Sequence, residues 1–205
     1  MRASTRRELI DGPVGRIECA IDVPDEPRGI ALVAHPHPLY GGTLDNKVVQ
    51  TLARGFVELG YACVRPNFRG VGATAGAHDE GRGEADDLAA VLAFAATEWW
   101  PQLAARPVLA GFSFGAYVQT RLAERVTPER LLLVGLAVKR FDARPVPKDT
   151  LVIHGEADDT VPLADLLDWA RPQELPVLVV PGADHFFHQR LHILRAILQA
   201  NWRRP

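Results

Sequence analysis

Short apolar runs alternate along this chain with stretches in which apolar residues recur at helical spacing. The apolar runs span 30–34, 61–64, 107–112, 131–138, 151–154 and 177–180. Continuous runs of this length are typical of strands that are buried on both faces of a parallel sheet. Between them, helical periodicity predicts helices over 45–59, 84–97, 114–124, 162–170 and 188–202. This alternation predicts an α/β fold, with a mostly parallel central sheet and helices on both of its faces.

The first part of the chain follows a different pattern, in which polar and apolar residues alternate. Residues 5–23 predict an antiparallel hairpin whose turn is supplied by Asp11, Gly12 and Pro13. No repeat or linker interrupts the later pattern. We therefore expect residues 1–205 to form a single domain, with the hairpin as an antiparallel edge of the sheet.

Charge and composition narrow the classes of partner. Lys and Arg number 23 against 25 Asp and Glu, and no basic stripe is present, so we expect no nucleic-acid partner. No apolar stretch approaches membrane-spanning length, and the N-terminus has no apolar signal region, so we expect a cytoplasmic protein without a membrane partner. Cys19 and Cys63 lie in apolar strand-like sequence without metal-ligand spacing, which predicts buried free thiols.

A serine follows one of the predicted buried strands and directly precedes a helix. Residues 111–115 read Gly-Phe-Ser-Phe-Gly, which is the G-x-S-x-G pattern in strand–turn–helix context. The flanking glycines leave room for a tight turn that presents the Ser113 hydroxyl to solvent. The Phe114 N–H would then lie at a helix N-terminus, where it can donate to a developing oxyanion. The pattern predicts a nucleophile at Ser113.

A serine nucleophile needs a base, and the base needs a carboxylate to orient it. Asp158 follows the predicted strand 151–154, and His185 follows the strand 177–180. Ligands of such sheets bind beyond the carboxyl ends of the strands, where all three residues are predicted to lie. The chain order Ser, Asp, His therefore predicts a catalytic triad of Ser113, Asp158 and His185.

Each partner of the serine has an alternative. Asp158 would be solvated or a helix cap if it stood alone, and Asp159 is a competing carboxylate. His188 and His192 compete with His185, although they are spaced i and i+4 on the predicted last helix, where solvent-facing histidines are common.

The second oxyanion donor is expected in the loop 35–43. Its two prolines have no N–H. By position, the N–H of His37 is the first choice, with Leu39 and Tyr40 as alternatives.

Four further runs carry a resemblance to a known family. They are 35–43 (HPHPLYGGT), 45–49 (DNKVV), 67–72 (NFRGVG) and 78–81 (HDEG). With the motif around Ser113, they make the chain from about Ile30 onwards similar to the α/β-hydrolases, in particular to a bacterial group of small, uncharacterised members. The resemblance implies a triad on Ser113, Asp158 and His185, a cytoplasmic location and no cofactor.

The resemblance has one notable departure. Larger members of the superfamily carry a cap domain after the strand that follows the nucleophile helix. Here that position lies between the predicted strands 131–138 and 151–154, which leaves room for no lid. We therefore expect no cap domain, an open and shallow site, and no interfacial activation.

Three rival interpretations are weaker. Gly70 and Gly72 fit part of a dinucleotide fingerprint, but no acidic residue ends a strand about 20 residues later. His35 and His37 resemble half of a metal site without its other ligands. A binding or scaffold protein on the hydrolase fold would usually lack a triad residue, and here all three positions are filled.

Other polar residues near strand ends have structural interpretations. His154 is expected to be a hydrogen-bonding residue, and Arg69 an ion-pair partner of Asp79, Glu80 or another nearby carboxylate. His78 has no predicted role. The sequence as a whole predicts a serine hydrolase that acts through an acyl-enzyme on carboxylic esters, in particular short-chain esters, or on related small-molecule acyl substrates. A thioesterase or a peptidase is the alternative among enzymes.

Overall fold

A single mixed sheet of eight strands organises the computed structural model, which describes residues 5–103 and 106–202. The strands are β1 (Arg6–Gly12), β2 (Gly15–Asp22), β3 (Gly29–Ala34), β4 (Tyr61–Pro66), β5 (Val108–Phe112), β6 (Arg130–Val134), β7 (Leu151–Gly155) and β8 (Val177–Val180). Their order is β1-β2-β4-β3-β5-β6-β7-β8. β1 pairs antiparallel with β2 and β2 with β4, whereas the other neighbouring strands are parallel. The predicted hairpin and parallel sheet are confirmed.

Helices cover both faces of the sheet. They are α1 (Lys47–Glu58), α2 (Arg82–Phe94), α3 (Phe114–Leu122), α4 (Leu163–Ala170) and α5 (Leu191–Asn201). Successive side chains of β3 enter opposite layers, since Ala31 and Val33 pack in the core with α1 and α5, and Ile30 and Leu32 pack in the core with α2, α3 and α4. Burial on both faces explains why β3 is apolar without interruption.

Element ends differ from the predictions for local backbone reasons. The cap of α1 is Asn46 rather than Asp45, because the Asn46 side chain accepts hydrogen bonds from the N–H groups at the start of the helix. α5 begins at Leu191 and not at residue 188, because Phe187 and Gln189 take positive φ angles of 53° and 58° that no helix accommodates.

The connection between β6 and β7 forms no cap domain. Residues 135–150 instead lie against α3 and α4. The Arg144 N–H donates to Thr120 Oγ1 at 3.1 Å, and the Trp169 indole N–H donates to the Ala143 carbonyl oxygen at 3.2 Å. The predicted absence of a lid is confirmed.

Both cysteines are buried and unpaired, as predicted, and burial raises the pKa of the Cys19 thiol to about 12. Among residues 5–103 and 106–202, no helix combines the length and the apolar character needed to cross a membrane. The prediction of one domain over 1–205 includes residues 1–4, 104–105 and 203–205, which lie outside the described residues.

Candidate active site

Ser113 occupies the sharp turn that joins β5 to α3. Its backbone angles are φ 57° and ψ −117°, a conformation that non-glycine residues rarely adopt. The turn is held by the Ser113 N–H, which donates to the Val134 carbonyl oxygen at 2.9 Å. A Cβ atom at Gly115 would collide with the carbonyl of His35, and one at Gly111 with the backbone of Gly115. Both glycines of the motif are therefore required by close backbone approach.

A chain of hydrogen bonds joins the three predicted triad residues. His185 Nε2 lies 3.0 Å from Ser113 Oγ, and His185 Nδ1 lies 2.7 Å from Asp158 Oδ2. An ionised carboxylate only accepts hydrogen bonds, so it holds the imidazole with its proton on Nδ1. The unprotonated Nε2 then faces the serine hydroxyl, as a base that removes its proton must. Three loops that are distant in sequence thus converge at one edge of the sheet.

Asp158 is held by the loop that follows it. Its Oδ1 accepts hydrogen bonds from the N–H groups of Thr160 at 3.0 Å and Val161 at 2.7 Å. His154 Nε2 donates to the Val161 carbonyl oxygen at 2.8 Å, and burial lowers the pKa of His154, which favours the neutral ring. His154 thus stabilises the loop that positions the carboxylate, in agreement with its predicted structural role.

The competing residues lie elsewhere. Asp159 is exposed, and its carboxylate accepts a hydrogen bond from the neighbouring Thr160 hydroxyl at 3.4 Å. His188 pairs at the surface with Asp184, with Nδ1 2.6 Å from Oδ2. His192 is exposed on α5.

The loop after β3 lies beside the serine turn and supplies candidate oxyanion donors. The Leu39 N–H donates to His37 Nδ1, and the Tyr40 N–H donates to the His37 carbonyl oxygen. Within the described part of the chain, no hydrogen bond engages the backbone N–H of His37 or that of Phe114. Of the four backbone N–H groups, those of His37 and Phe114 are therefore available to donate to an oxyanion.

The serine lines a small cavity of about 140 Å³. Its walls come from the loops after β3, β6 and β7 and from α4, and include His37, Tyr40, Phe114, residues 137–141, Thr160, Val161 and Asp165. Ser113 is only 7% exposed as a residue, and its access to solvent is through this cavity. The loop after β6, which stands where larger members carry a cap domain, forms one wall of this cavity.

The side chains of His37 and His78 form a pair that was not predicted, since only the backbone N–H of His37 was expected at the site. The rings of His37 and His78 lie 4.8 Å apart, and each contacts the Phe114 ring. Burial, together with repulsion from His78 and Arg140, lowers the pKa of His37 to about 4. His78 Nδ1 lies 3.0 Å from the fully buried carboxylate of Glu84. In the sequence, a capping role for Glu84 is indicated by its position three residues after Gly81, at the start of α2.

Arg69 is part of the framework of the fold. It donates to both carboxylate oxygens of Asp87 at 2.8 Å and to the Gly83 carbonyl oxygen at 2.7 Å. Its partner is therefore another nearby carboxylate rather than Asp79 or Glu80.

No helix starts beside the glycines at 70 and 72, since α2 begins at Arg82. The dinucleotide fingerprint lacks the helix N-terminus that binds a pyrophosphate.

His35 is used by the backbone around it. Its Nδ1 donates to the Pro36 carbonyl oxygen at 2.7 Å, and its Nε2 accepts from the Phe68 N–H at 2.9 Å. Both ring nitrogens are thereby occupied, which leaves no ligand atom to complete a metal site with His37. Within residues 5–103 and 106–202, no group of three or more His, Cys, Asp or Glu side chains is arranged to hold a metal ion.

The buried His35 predicts a loss of stability in acid. Burial lowers its pKa from 6.5 to about 4, and protonation would remove the acceptor of the Phe68 N–H. Between these pH values the unfolded chain binds more protons than the folded one, so the free energy of unfolding decreases as pH falls through this window. We expect this residue to account for up to about 3 kcal/mol of that loss. Chemical denaturation of the wild type and of His35→Gln at several pH values measures it.

His192→Gln is the matched control for His35→Gln, because His192 lies exposed on α5. It should retain the pH dependence of the wild type, whereas His35→Gln should show a shallower one at lower overall stability. An equal pH dependence in His35→Gln and in the wild type would contradict the assignment.

Comparison with known proteins finds one matching family and several similar proteins. Residues 11–138 match the family described as X-Pro dipeptidyl-peptidase (S15 family). The uncharacterized protein RP471 of Rickettsia prowazekii is 34% identical, over 88% of this chain and 81% of its own length. XC6422 of Xanthomonas campestris, an α/β serine hydrolase without lid, is 38% identical with a TM-score of 0.90, covering 98% of this chain and 94% of its own. An α/β serine hydrolase homologue from Coxiella burnetii is 40% identical with a TM-score of 0.89, over 97% of each chain.

Proposed function

We propose that this chain, which belongs to the S15 (X-Pro dipeptidyl-peptidase) family of α/β-hydrolases, hydrolyses short-chain carboxylic esters through an acyl-enzyme on Ser113. The observation that carries the proposal is the hydrogen-bonded sequence of the Ser113 hydroxyl, the His185 imidazole and the Asp158 carboxylate. A hydroxyl that donates to a carboxylate-oriented imidazole is the arrangement required for nucleophilic attack on a carbonyl carbon.

The reaction would proceed in two halves. His185 takes the Ser113 proton as Oγ bonds to the ester carbonyl carbon, and the oxyanion accepts hydrogen bonds from the N–H groups of Phe114 and His37. The carbonyl re-forms as the C–O bond to the alcohol breaks, and His185 returns its proton to the departing alkoxide. In the second half, His185 removes a proton from water, the hydroxide attacks the acyl carbon, and Ser113 leaves protonated.

The family name raises a peptidase as the second candidate. A dipeptidyl-peptidase acts near the N-terminus of its substrate, and the cationic α-amino group there favours an acidic partner in the binding cavity. The carboxylate of Asp165 lines this cavity, but Lys139 Nζ already pairs with its Oδ1 at 2.6 Å, so it is not free to bind an α-ammonium group.

An ester has a better leaving group than an amide, and the cavity of about 140 Å³ favours a small acyl part. We therefore favour ester hydrolysis, with thioesters as related substrates.

Labelling with a fluorophosphonate probe tests the proposal directly. A serine activated by its base attacks phosphorus and displaces fluoride, so the wild type should be labelled, and Ser113→Ala should not. The serine of a binding or scaffold protein on this fold would not react. Absence of labelling in folded wild-type protein would overturn the proposed function. A parallel assay on an X-Pro dipeptide anilide should give a much lower kcat/KM than a short-chain ester.

The size of the cavity and the absence of a lid predict a particular substrate profile. On a series of p-nitrophenyl esters, kcat/KM should be highest for short acyl chains and should decrease as the chain outgrows the cavity. No element of a cap domain needs to move at a lipid surface, so the rate should not increase when a substrate passes its critical micelle concentration. Such an increase would contradict the prediction. A cytoplasmic location and independence from cofactors stay predictions from the sequence.

A further inference from the structure

Arg140 occupies a defined position in the cavity that contains Ser113. Its Nη2 donates to the Tyr40 hydroxyl oxygen at 2.6 Å. Its guanidinium carbon also lies 4.9 Å from the centre of the Tyr40 ring and 5.9 Å from that of Phe141. Tyr40 and Phe141 line the same cavity. Two aromatic rings and a hydroxyl therefore contact the guanidinium at the exposed rim of the cavity.

The positive charge of Arg140 has no acidic partner among the described residues. In the ion pairs of residues 5–103 and 106–202, no carboxylate lies within 4.0 Å of its guanidinium. Lys139 is different, because Asp165 neutralises it. Of the three charged side chains that line the cavity, two thus compensate each other and Arg140 stays uncompensated. An unpaired guanidinium attracts an anionic group, and its planar fork of donors fits a carboxylate.

We propose that Arg140 is a specificity-determining residue that selects esters carrying an anionic group, such as a carboxylate. The inference rests on the proposed ester hydrolysis by Ser113 and defines its substrate class. Because Tyr40 and Phe141 already orient the guanidinium, binding an anion there loses little side-chain freedom. The same positive charge would repel the α-ammonium group of a peptide N-terminus.

Matched ester pairs measure the selectivity. p-Nitrophenyl hemisuccinate and p-nitrophenyl 4-oxopentanoate have acyl parts of similar size, one anionic and one neutral. 4-Carboxyphenyl acetate and 4-acetylphenyl acetate place the same contrast in the leaving group. The wild type should show a higher kcat/KM for the anionic member of at least one pair. In Arg140→Gln that anionic-to-neutral ratio should decrease roughly tenfold, as expected for the loss of one charged hydrogen-bonding partner. Arg140→Lys should restore part of it.

Arg171→Gln is the matched control, since Arg171 is exposed, pairs with Asp168 and lies outside the cavity lining. It should leave both ratios unchanged. The wild-type ratio should also decrease as salt is added, because the interaction is between charges near the surface.

Two outcomes separate this inference from the proposed function. If the neutral esters are hydrolysed in a Ser113-dependent way, but Arg140→Gln changes neither ratio, the inference about Arg140 is overturned and ester hydrolysis stands. If no ester of either pair is hydrolysed in a Ser113-dependent way, the proposed function fails and the inference fails with it.

Discussion

Ser113→Ala should reduce kcat for a short-chain ester by on the order of 10⁴- to 10⁶-fold, the loss seen when a serine nucleophile that acts together with its base is removed. Alanine has no oxygen to form the acyl-enzyme, so His185 has no proton to accept. Residual turnover would come from the oxyanion donors and from binding alone. Initial rates on a p-nitrophenyl ester, with the enzyme concentration raised to reach the slow variant, measure the change.

The same substitution should leave the fold intact. Ser113 is 7% exposed, and alanine removes one hydrogen bond to His185, which contributes about 1 kcal/mol on average. Alanine also tolerates the turn at φ 57° about as poorly as serine does, so the strain is retained. The free energy of unfolding should therefore change by about 1 kcal/mol or less. A far larger loss would make Ser113 a structural residue, whatever the activity of the variant.

Asp158→Asn should reduce kcat by on the order of 10⁴-fold, through the tautomer of His185. Asp158 Oδ2 accepts from His185 Nδ1 at 2.7 Å, while Oδ1 accepts from the N–H groups of Thr160 and Val161. Asparagine keeps an oxygen for the two backbone donors and turns its NH₂ group towards Nδ1. The imidazole then carries its proton on Nε2, where it faces the serine and cannot act as a base. Rates on the same ester measure the loss.

Asp159→Asn is the matched control for Asp158→Asn. Asp159 is the next residue, carries the same charge and is exposed, and its carboxylate accepts a hydrogen bond from the hydroxyl of its neighbour Thr160. Its replacement should leave kcat within a few-fold of the wild type, which on an energy scale is below about 1 kcal/mol. A larger loss in Asp159→Asn than in Asp158→Asn would show that Asp159 orients the histidine and that Asp158 only stabilises its loop.

The order and type of the elements could be predicted from the sequence because strand burial leaves a direct record in composition. β3 and β5 are continuous apolar runs since both of their faces are covered by helices. The element ends were less predictable. Asn46 and Asp45 are both good capping residues, and only the path of the loop decides which side chain reaches the free N–H groups of α1.

Residues that act through the backbone left a strong signal in the sequence. The glycines around Ser113 mark a turn in which a Cβ would collide with neighbouring backbone, and only a residue without one fits. The two prolines of the loop after β3 removed N–H donors from consideration, which is a property of the residue type alone. These inferences needed no knowledge of distant contacts.

Side-chain partners across the fold left no comparable signal. Three features depend on how separate segments pack: the choice of Asp87 as the partner of Arg69, the contact of His78 with Glu84, and the position of the loop after β6 in the cavity wall. Such contacts are made between residues far apart along the chain, and many carboxylates of similar local sequence compete for each of them. Packing in three dimensions selects one.

The amino-acid sequence by itself determined the layered α/β architecture, the strained serine turn and the identity of the three side chains that meet there, because periodicity, glycine placement and chain order are local or sequential properties. The tertiary structure alone decided the distances among Ser113, His185 and Asp158, the low exposure of Ser113 and the uncompensated charge of Arg140. Those features depend on which loops converge at the carboxyl edge of the sheet, and convergence is set by the packing of every strand and helix at once.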